Sequence, residues 1–153
     1  MLSLSHTTGH AIQALTCLAD ENCTHGGMIQ HIAECSGVPR PYLAKVLRRL
    51  NEAGIVKSKR GYRGGIWLAR PAEKISLMEI SEAIDGEEYF NSCLLGSAFC
   101  GDDRDCPTHT FWKGARKNIQ EELASTTLAD VVAFHQRKAA EKKRKPSVAA
   151  RRR

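Results

Sequence analysis

At 153 residues the chain has the size of one ordinary domain, and 42% hydrophobic with 26% charged content suits a folded globular protein rather than a disordered one. No apolar run approaches the roughly 18 residues that span a bilayer, and Met1-Leu2-Ser3-Leu4-Ser5-His6 has neither the basic start nor the apolar stretch of a secretory leader, so a cytoplasmic protein with no membrane association is expected. The net charge of +6 is sharply sorted: residues 1–36 hold three acids and no Lys or Arg, 37–70 hold nine basic groups and one acid, 71–109 hold two basic groups and nine acids, and 137–153 hold nine basic groups and one acid.

Ala11, Ile12, Leu15, Leu18 and Ala19 recur at helical spacing and predict a first helix over about residues 8–20. Met28, Ile29, Ile32 and Ala33 predict a short second helix that stops at Ser36-Gly37, where glycine supplies a left-handed turn. Val38-Pro39-Arg40-Pro41 opens a third helix, proline being tolerated in a first turn. Its stripe of Leu43, Val46, Leu47 and Leu50 buries one side, and Gly54 ends it. Two short helices joined by a tight glycine turn read as a helix-turn-helix. The runs 55–60 and 66–69 then predict a hairpin with Gly61-Tyr62-Arg63-Gly64-Gly65 at its tip, which is a wing. Ser76-Leu77-Met78-Glu79 is a capping box that starts a fourth helix. Residues 91–109 show no periodicity and read as a loop. Trp112, Ala115, Ile119 and Leu123 mark a longer helix with one apolar seam, Leu128 to Phe134 a short last element, and the basic stretch from 137 a disordered tail.

The cationic block coincides with the third helix and the wing, which is the electrostatic footprint of a nucleic-acid-binding face. In a helix-turn-helix the second helix enters the major groove of double-stranded DNA. Arg40 and Lys45 lie early enough to face bases, Arg48 and Arg49 are placed for phosphates, and Arg60 and Arg63 at the wing can touch the backbone or a narrowed minor groove. One such unit covers few base pairs, so a homodimer on a palindromic operator is expected, with the seam of the helix over about 110–124 facing the partner.

Six cysteines in a cytoplasmic chain argue against a disulfide framework. Cys23 and Cys35 read as ordinary small residues, and His6, His10 and Cys17 share a helical face read as polar surface. Cys93, Cys100 and Cys106 fall within 14 residues, with His109 just beyond, and give four soft or borderline metal ligands in one flexible segment. Structural zinc sites usually show close cysteine pairs, and only Cys106–His109 is close here, so the spacing favours an iron–sulfur cluster over zinc. No nucleophile with a paired base and no phosphate-cradling glycine loop is visible, so neither an enzyme nor a small-molecule substrate is expected.

Arg60-Gly61-Tyr62-Arg63-Gly64-Gly65, the Ser36-Gly37-Val38-Pro39 turn, and a three-cysteine loop before a long helix together resemble the bacterial IscR-like regulators, a family that includes NsrR and RirA and is also called BadM/Rrf. The resemblance spans about residues 1–134. It implies a homodimeric transcription regulator with an iron–sulfur cluster near each end of a crossed dimerisation helix. The family's cysteine ligands would be Cys93, Cys100 and Cys106, and the histidine that completes the set in the IscR branch would be His109. Two departures stand out. The first two cysteines are separated by one residue more than that branch has, and Thr8 stands where the nitric-oxide-responsive branch uses an aspartate from the partner subunit, with His6 and His10 of the partner as alternative donors. The basic tail has no counterpart.

The expected architecture is mainly α with a small β wing: a winged helix-turn-helix over 1–90, a cluster-binding loop over 91–109, a dimerisation helix and final element over 110–136, and the tail over 137–153. The expected function is a repressor controlled by a cluster, [2Fe–2S] in preference to [4Fe–4S], that senses iron, redox state or nitric oxide. The rivals are a regulator with zinc or no metal that responds through thiol oxidation or a partner protein, and an electron-transfer or cluster-carrier protein.

Overall fold

The structure is a computed structural model that describes residues 4–19, 27–61, 64–96, 100 and 106–144. It is mainly helical with one two-stranded antiparallel sheet, as the sequence predicts. Helix α1 (His6–Ala19) lies at the centre and packs against the other helices of the core. Of the predicted stripe on α1, Ala11 and Leu15 are fully buried and Ile12, Leu18 and Ala19 half-buried, while Thr8, Ala14 and Cys17, outside that stripe, are buried too. Helix α2 (Ile29–Ser36) ends at Gly37, whose φ of 69° is the left-handed turn required before α3 (Arg40–Glu52) can begin. Leu43, Val46, Leu47 and Leu50 of α3 are buried as their spacing demands.

Strands β1 (Val56–Lys59) and β2 (Gly65–Leu68) pair antiparallel with Lys57 opposite Trp67 and Ser58 opposite Ile66. Gly27 adds a single bridge to Ile66, exchanging both backbone hydrogen bonds at 2.9 and 3.1 Å, and thereby anchors the wing to the start of α2. At the tip, Gly64 is forced. A Cβ there would collide with the Lys59 carbonyl oxygen and stand 2.7 Å from that of Gly61, so the signature glycine is a steric requirement of the turn.

Helix α4 (Leu77–Asp85) carries the predicted capping box. The Ser76 hydroxyl accepts from the Glu79 amide, and Glu79 Oε2 accepts from the Ser76 amide at 2.9 Å. A single 3-10 turn (Glu87–Asn91) follows, then α5 (His109–Ser125) and α6 (Leu128–Arg144).

Two features differ from the sequence expectation. The final element is a 17-residue helix that continues to Arg144, so residues 137–144 of the expected disordered tail are helical. Ala139, Ala140, Glu141, Lys142, Lys143 and Arg144 are good helix formers, which lets the helix run on past its apolar anchor. Leu128 is also fully buried in the same core as α1, α3 and α4, and its amide donates to the Ile75 carbonyl at 2.8 Å, so the start of α6 closes the helix-turn-helix core. Helix α5 packs less completely, leaning on α4 and the 3-10 turn through Trp112, its one buried residue. Ala115, Ile119 and Leu123 stay half-buried, and Phe111 is 70% exposed. Among the described residues no helix is long and apolar enough to cross a membrane.

Candidate DNA-reading face and cysteine site

The apolar stripe of α3 turns its other side outward, and Arg40, Lys45 and Arg48 are all exposed there. Arg48 is paired with Glu52 one turn on, at 2.9 Å. Both side chains are well exposed, so the pair is weak and opens readily toward a phosphate. Arg60, at the end of β1, lines one open groove of about 580 Å³ with Arg48, Asn51 and Ser58. The wing and the third helix thus present their charges to a common face. Arg63 lies outside the described residues.

Arg49 is used differently from the expectation. Its Nη1 donates to the Ile84 carbonyl at 2.6 Å, in the last turn of α4. A guanidinium at a helix C-terminus satisfies an orphan carbonyl and the negative end of the dipole, so Arg49 ties α3 to α4. Lys57 and Lys59 are also exposed on β1, on the side opposite Ser58 and so away from the groove that Ser58 and Arg60 line.

Cys93, Cys100 and Cys106 are half-buried and outside any disulfide. Cys100 Sγ lies 3.3 Å from His109 Nδ1, and Cys106 Sγ lies 3.3 Å from the Thr108 hydroxyl. His109 is the first residue of α5, and its amide donates to the Cys106 carbonyl at 3.0 Å. The beginning of the segment is held by Trp112, whose Nε1 donates to the Ser92 carbonyl at 2.9 Å. The structure brings Cys100 to His109 and places Cys106 one turn before it, but among the described residues no three His, Cys, Asp or Glu side chains converge as a ready metal site.

The N-terminal candidates all lie in the first half of α1. Thr8 is fully buried, and its hydroxyl donates to Asp85 Oδ2 at 2.7 Å within its own chain. His10 stacks edge-on against Tyr42 of α3 at 5.4 Å, with Nδ1 buried, and Tyr42 donates to the Thr7 hydroxyl at 2.6 Å. His6 is exposed at the first residue of α1.

The cysteines of the helix-turn-helix correct the sequence reading. Cys17 and Cys35 form a disulfide with Cα atoms 6.2 Å apart. Cys17 is only 7% exposed, so the face it shares with His10 is no polar surface, and Cys35 is more than a small filler. Cys23 lies outside the described residues.

A central α1, a turn set by Gly37, an amphipathic α3 with its cations outward, and a hairpin wing beside it define a winged helix-turn-helix regulator that binds DNA. The chain belongs to the Rrf2 family, whose model, that of an iron-dependent transcriptional regulator, matches residues 4–134. It is 33% identical over 138 residues to the HTH-type transcriptional regulator IscR of Cereibacter sphaeroides, covering 86% of this chain and 87% of that protein. Among solved structures it is similar to IscR of T. potens, with TM-score 0.70 and 29% identity over 95% of this chain and 93% of that one. It is also similar to CymR, the global cysteine regulator of B. subtilis, with TM-score 0.72 and 25% identity over 88% of this chain and 98% of that one.

Proposed function

We propose that the chain is a cytoplasmic, homodimeric repressor whose affinity for a palindromic operator depends on an iron–sulfur cluster held by Cys93, Cys100, Cys106 and His109, [2Fe–2S] in preference to [4Fe–4S]. The observation that carries this reading is the approach of Cys100 Sγ to His109 Nδ1, 3.3 Å, at the first residue of α5. Thiolates and an imidazole suit such a cluster, and anionic sulfur ligands are favoured beside the positive end of a helix. Bound there, the cluster supplies redox and ligand-exchange chemistry.

The rest of the work falls to the chain's own residues. His109 begins α5, and Trp112 pins its first turn to Ser92. Helix α5 rests on α4, whose Ile84 carbonyl is gripped by Arg49 of α3. A group bound by the cysteine segment therefore acts on the seat of the recognition helix through packed elements. The partly uncovered seam Ala115, Ile119 and Leu123, with exposed Phe111 nearby, suits pairing with α5 of a second copy, which sets the spacing of the two recognition helices at about one turn of DNA. A coupling of about 1–3 kcal/mol changes affinity by roughly 5- to 150-fold.

The test is anaerobic purification, a visible spectrum, and counts of iron and sulfide per chain, with His109→Ala beside the parent chain. Broad visible absorption with matched iron and sulfide, reduced in the variant, supports the proposal. A colourless, iron-free protein after reconstitution refutes it and leaves a DNA-binding regulator that responds through zinc, thiols or a partner protein.

A further inference from the structure

We infer that Cys17 and Cys35 form a thiol–disulfide switch that fixes the end of α2, and with it the turn leading into the recognition helix. This rests on the DNA-binding reading above but not on the iron–sulfur cluster. Cys17 stands in the last turn of α1 and Cys35 in the last turn of α2, and the bond between them closes a separation of 18 residues. Cys35 is followed directly by Ser36, whose hydroxyl donates to the Ile32 carbonyl at 2.6 Å, and by Gly37 with its left-handed φ of 69°. Three residues later α3 begins at Arg40. The cross-link is thus attached at the point from which the helix-turn-helix is aimed.

The two cysteines differ in exposure. Cys17 is 7% exposed, whereas Cys35 is exposed. A cavity of about 340 Å³ opens over the pair, lined by Gln13, Thr16, Ser36 and His135 of α6. Its hydroxyl, amide and imidazole groups suit a polar reactant of small-molecule size, so a low-molecular-weight disulfide can reach Cys35 from solvent. DNA is bound in the reducing interior of a cell, where disulfides that do form are mostly transient and redox-sensing. A bond at this place therefore reports the thiol poise of its surroundings.

The exchange balances with one small disulfide as the oxidant. The Cys35 thiolate attacks one sulfur of that disulfide, forming a mixed disulfide and expelling a small thiolate. The Cys17 thiolate then attacks Cys35 Sγ, forming the Cys17–Cys35 bond and expelling the second small thiolate. Two cysteine thiols are oxidised, one small disulfide is reduced to two thiols, and the two cysteine protons pass through solvent to the departing thiolates. Exposed Cys35 takes the adduct, and buried Cys17 resolves it.

The test uses the full chain in mixtures of reduced and oxidised glutathione, with free thiols alkylated and located by peptide mass. Cys17 and Cys35 should cross together from free to bonded. Cys17→Ala should accumulate one glutathione on Cys35, and Cys35→Ser, a change at an exposed position, should leave Cys17 unmodified. A duplex selected by the full chain from a random-sequence pool should bind the oxidised form at least about fivefold more tightly than the reduced form, the low end of ordinary coupling between sites. That difference should vanish in Cys35→Ser. A bond that survives millimolar reduced glutathione, a pair that never forms it, or equal affinity in both states overturns the switch. A selection that returns no duplex overturns the DNA-binding reading and this one with it, whereas loss of the cluster alone leaves the thiol transition in place.

Discussion

Replacing Thr8 with valine separates a structural role for this position from a role at the proposed cluster. Thr8 is fully buried, its hydroxyl donates to Asp85 Oδ2 at 2.7 Å, and Ser5 donates to the other carboxylate oxygen at 2.8 Å. These two bonds fasten the start of α1 to the last residue of α4. Valine keeps the shape of threonine, so no cavity opens, and the change removes one hydrogen bond to a charged acceptor. Such bonds contribute about 1.5–3 kcal/mol. Asp85 is only half-buried, so water can replace the lost donor in part and the lower end applies, about 1.5 kcal/mol. With a urea dependence of about 2 kcal/mol/M, the unfolding midpoint should fall by about 0.7 M. Asp85→Asn should cost a similar amount, and the double variant less than the two together, because the positions share one contact. Iron and sulfide per chain should not change. An unchanged midpoint with loss of iron would refute the reasoning, because Thr8 would then be acting on the proposed cluster rather than on Asp85.

Leu128→Ala should destabilise the chain by about 2–5 kcal/mol in denaturant unfolding, since a fully buried side chain is cut from the shared core; a cost below 1 would mean that α6 is only appended. Gly64→Ala should weaken binding to duplex DNA far more than it lowers the unfolding midpoint, because the clash with two carbonyls is confined to the wing tip. Arg40→Ala and Lys45→Ala should weaken DNA binding, and each should reduce the slope of log affinity against log salt by about 0.9 where a phosphate contact is lost; a variant that keeps the slope but changes sequence preference reads a base instead. Glu79 is held below the usual carboxylate range, mainly by the hydrogen bond from the Ser76 amide and then by Arg70, whose guanidinium lies 2.9 Å away. A depressed folded value contributes stability above the ordinary value near 4.5 that is lost as pH falls through the folded one, so Glu79→Gln should flatten the acid limb of the stability profile. With the side chain 40% exposed the effect should stay below about 1 kcal/mol, and an unchanged limb would show that the cap is energetically silent.

Local periodicity was enough for the parts of this protein whose constraint lies within a single element or turn. The stripe of α3, the Ser76–Glu79 capping box and the glycines of the wing all express constraints spanning a few residues, and each is where the spacing places it. The approach of Cys100 to His109 was anticipated only as membership in one loop, and the contact itself depends on how Trp112 seats α5. The sequence misled where several elements surround one. Helix α1 is covered by α2, α3, α4 and α6, so a face lacking an apolar stripe is still buried, and Thr8 and Cys17 lie inside. The Cys17–Cys35 bond, the turning of Arg49 to the end of α4, and the closure of the core by Leu128 join residues from different helices. Up to about residue 136, sequence alone determined which segments become helices and strands, because that choice is made among neighbours in the chain; the helical run over 137–144 was missed, and which side chains meet was decided by packing, because the partners that bury them come from elsewhere in the fold.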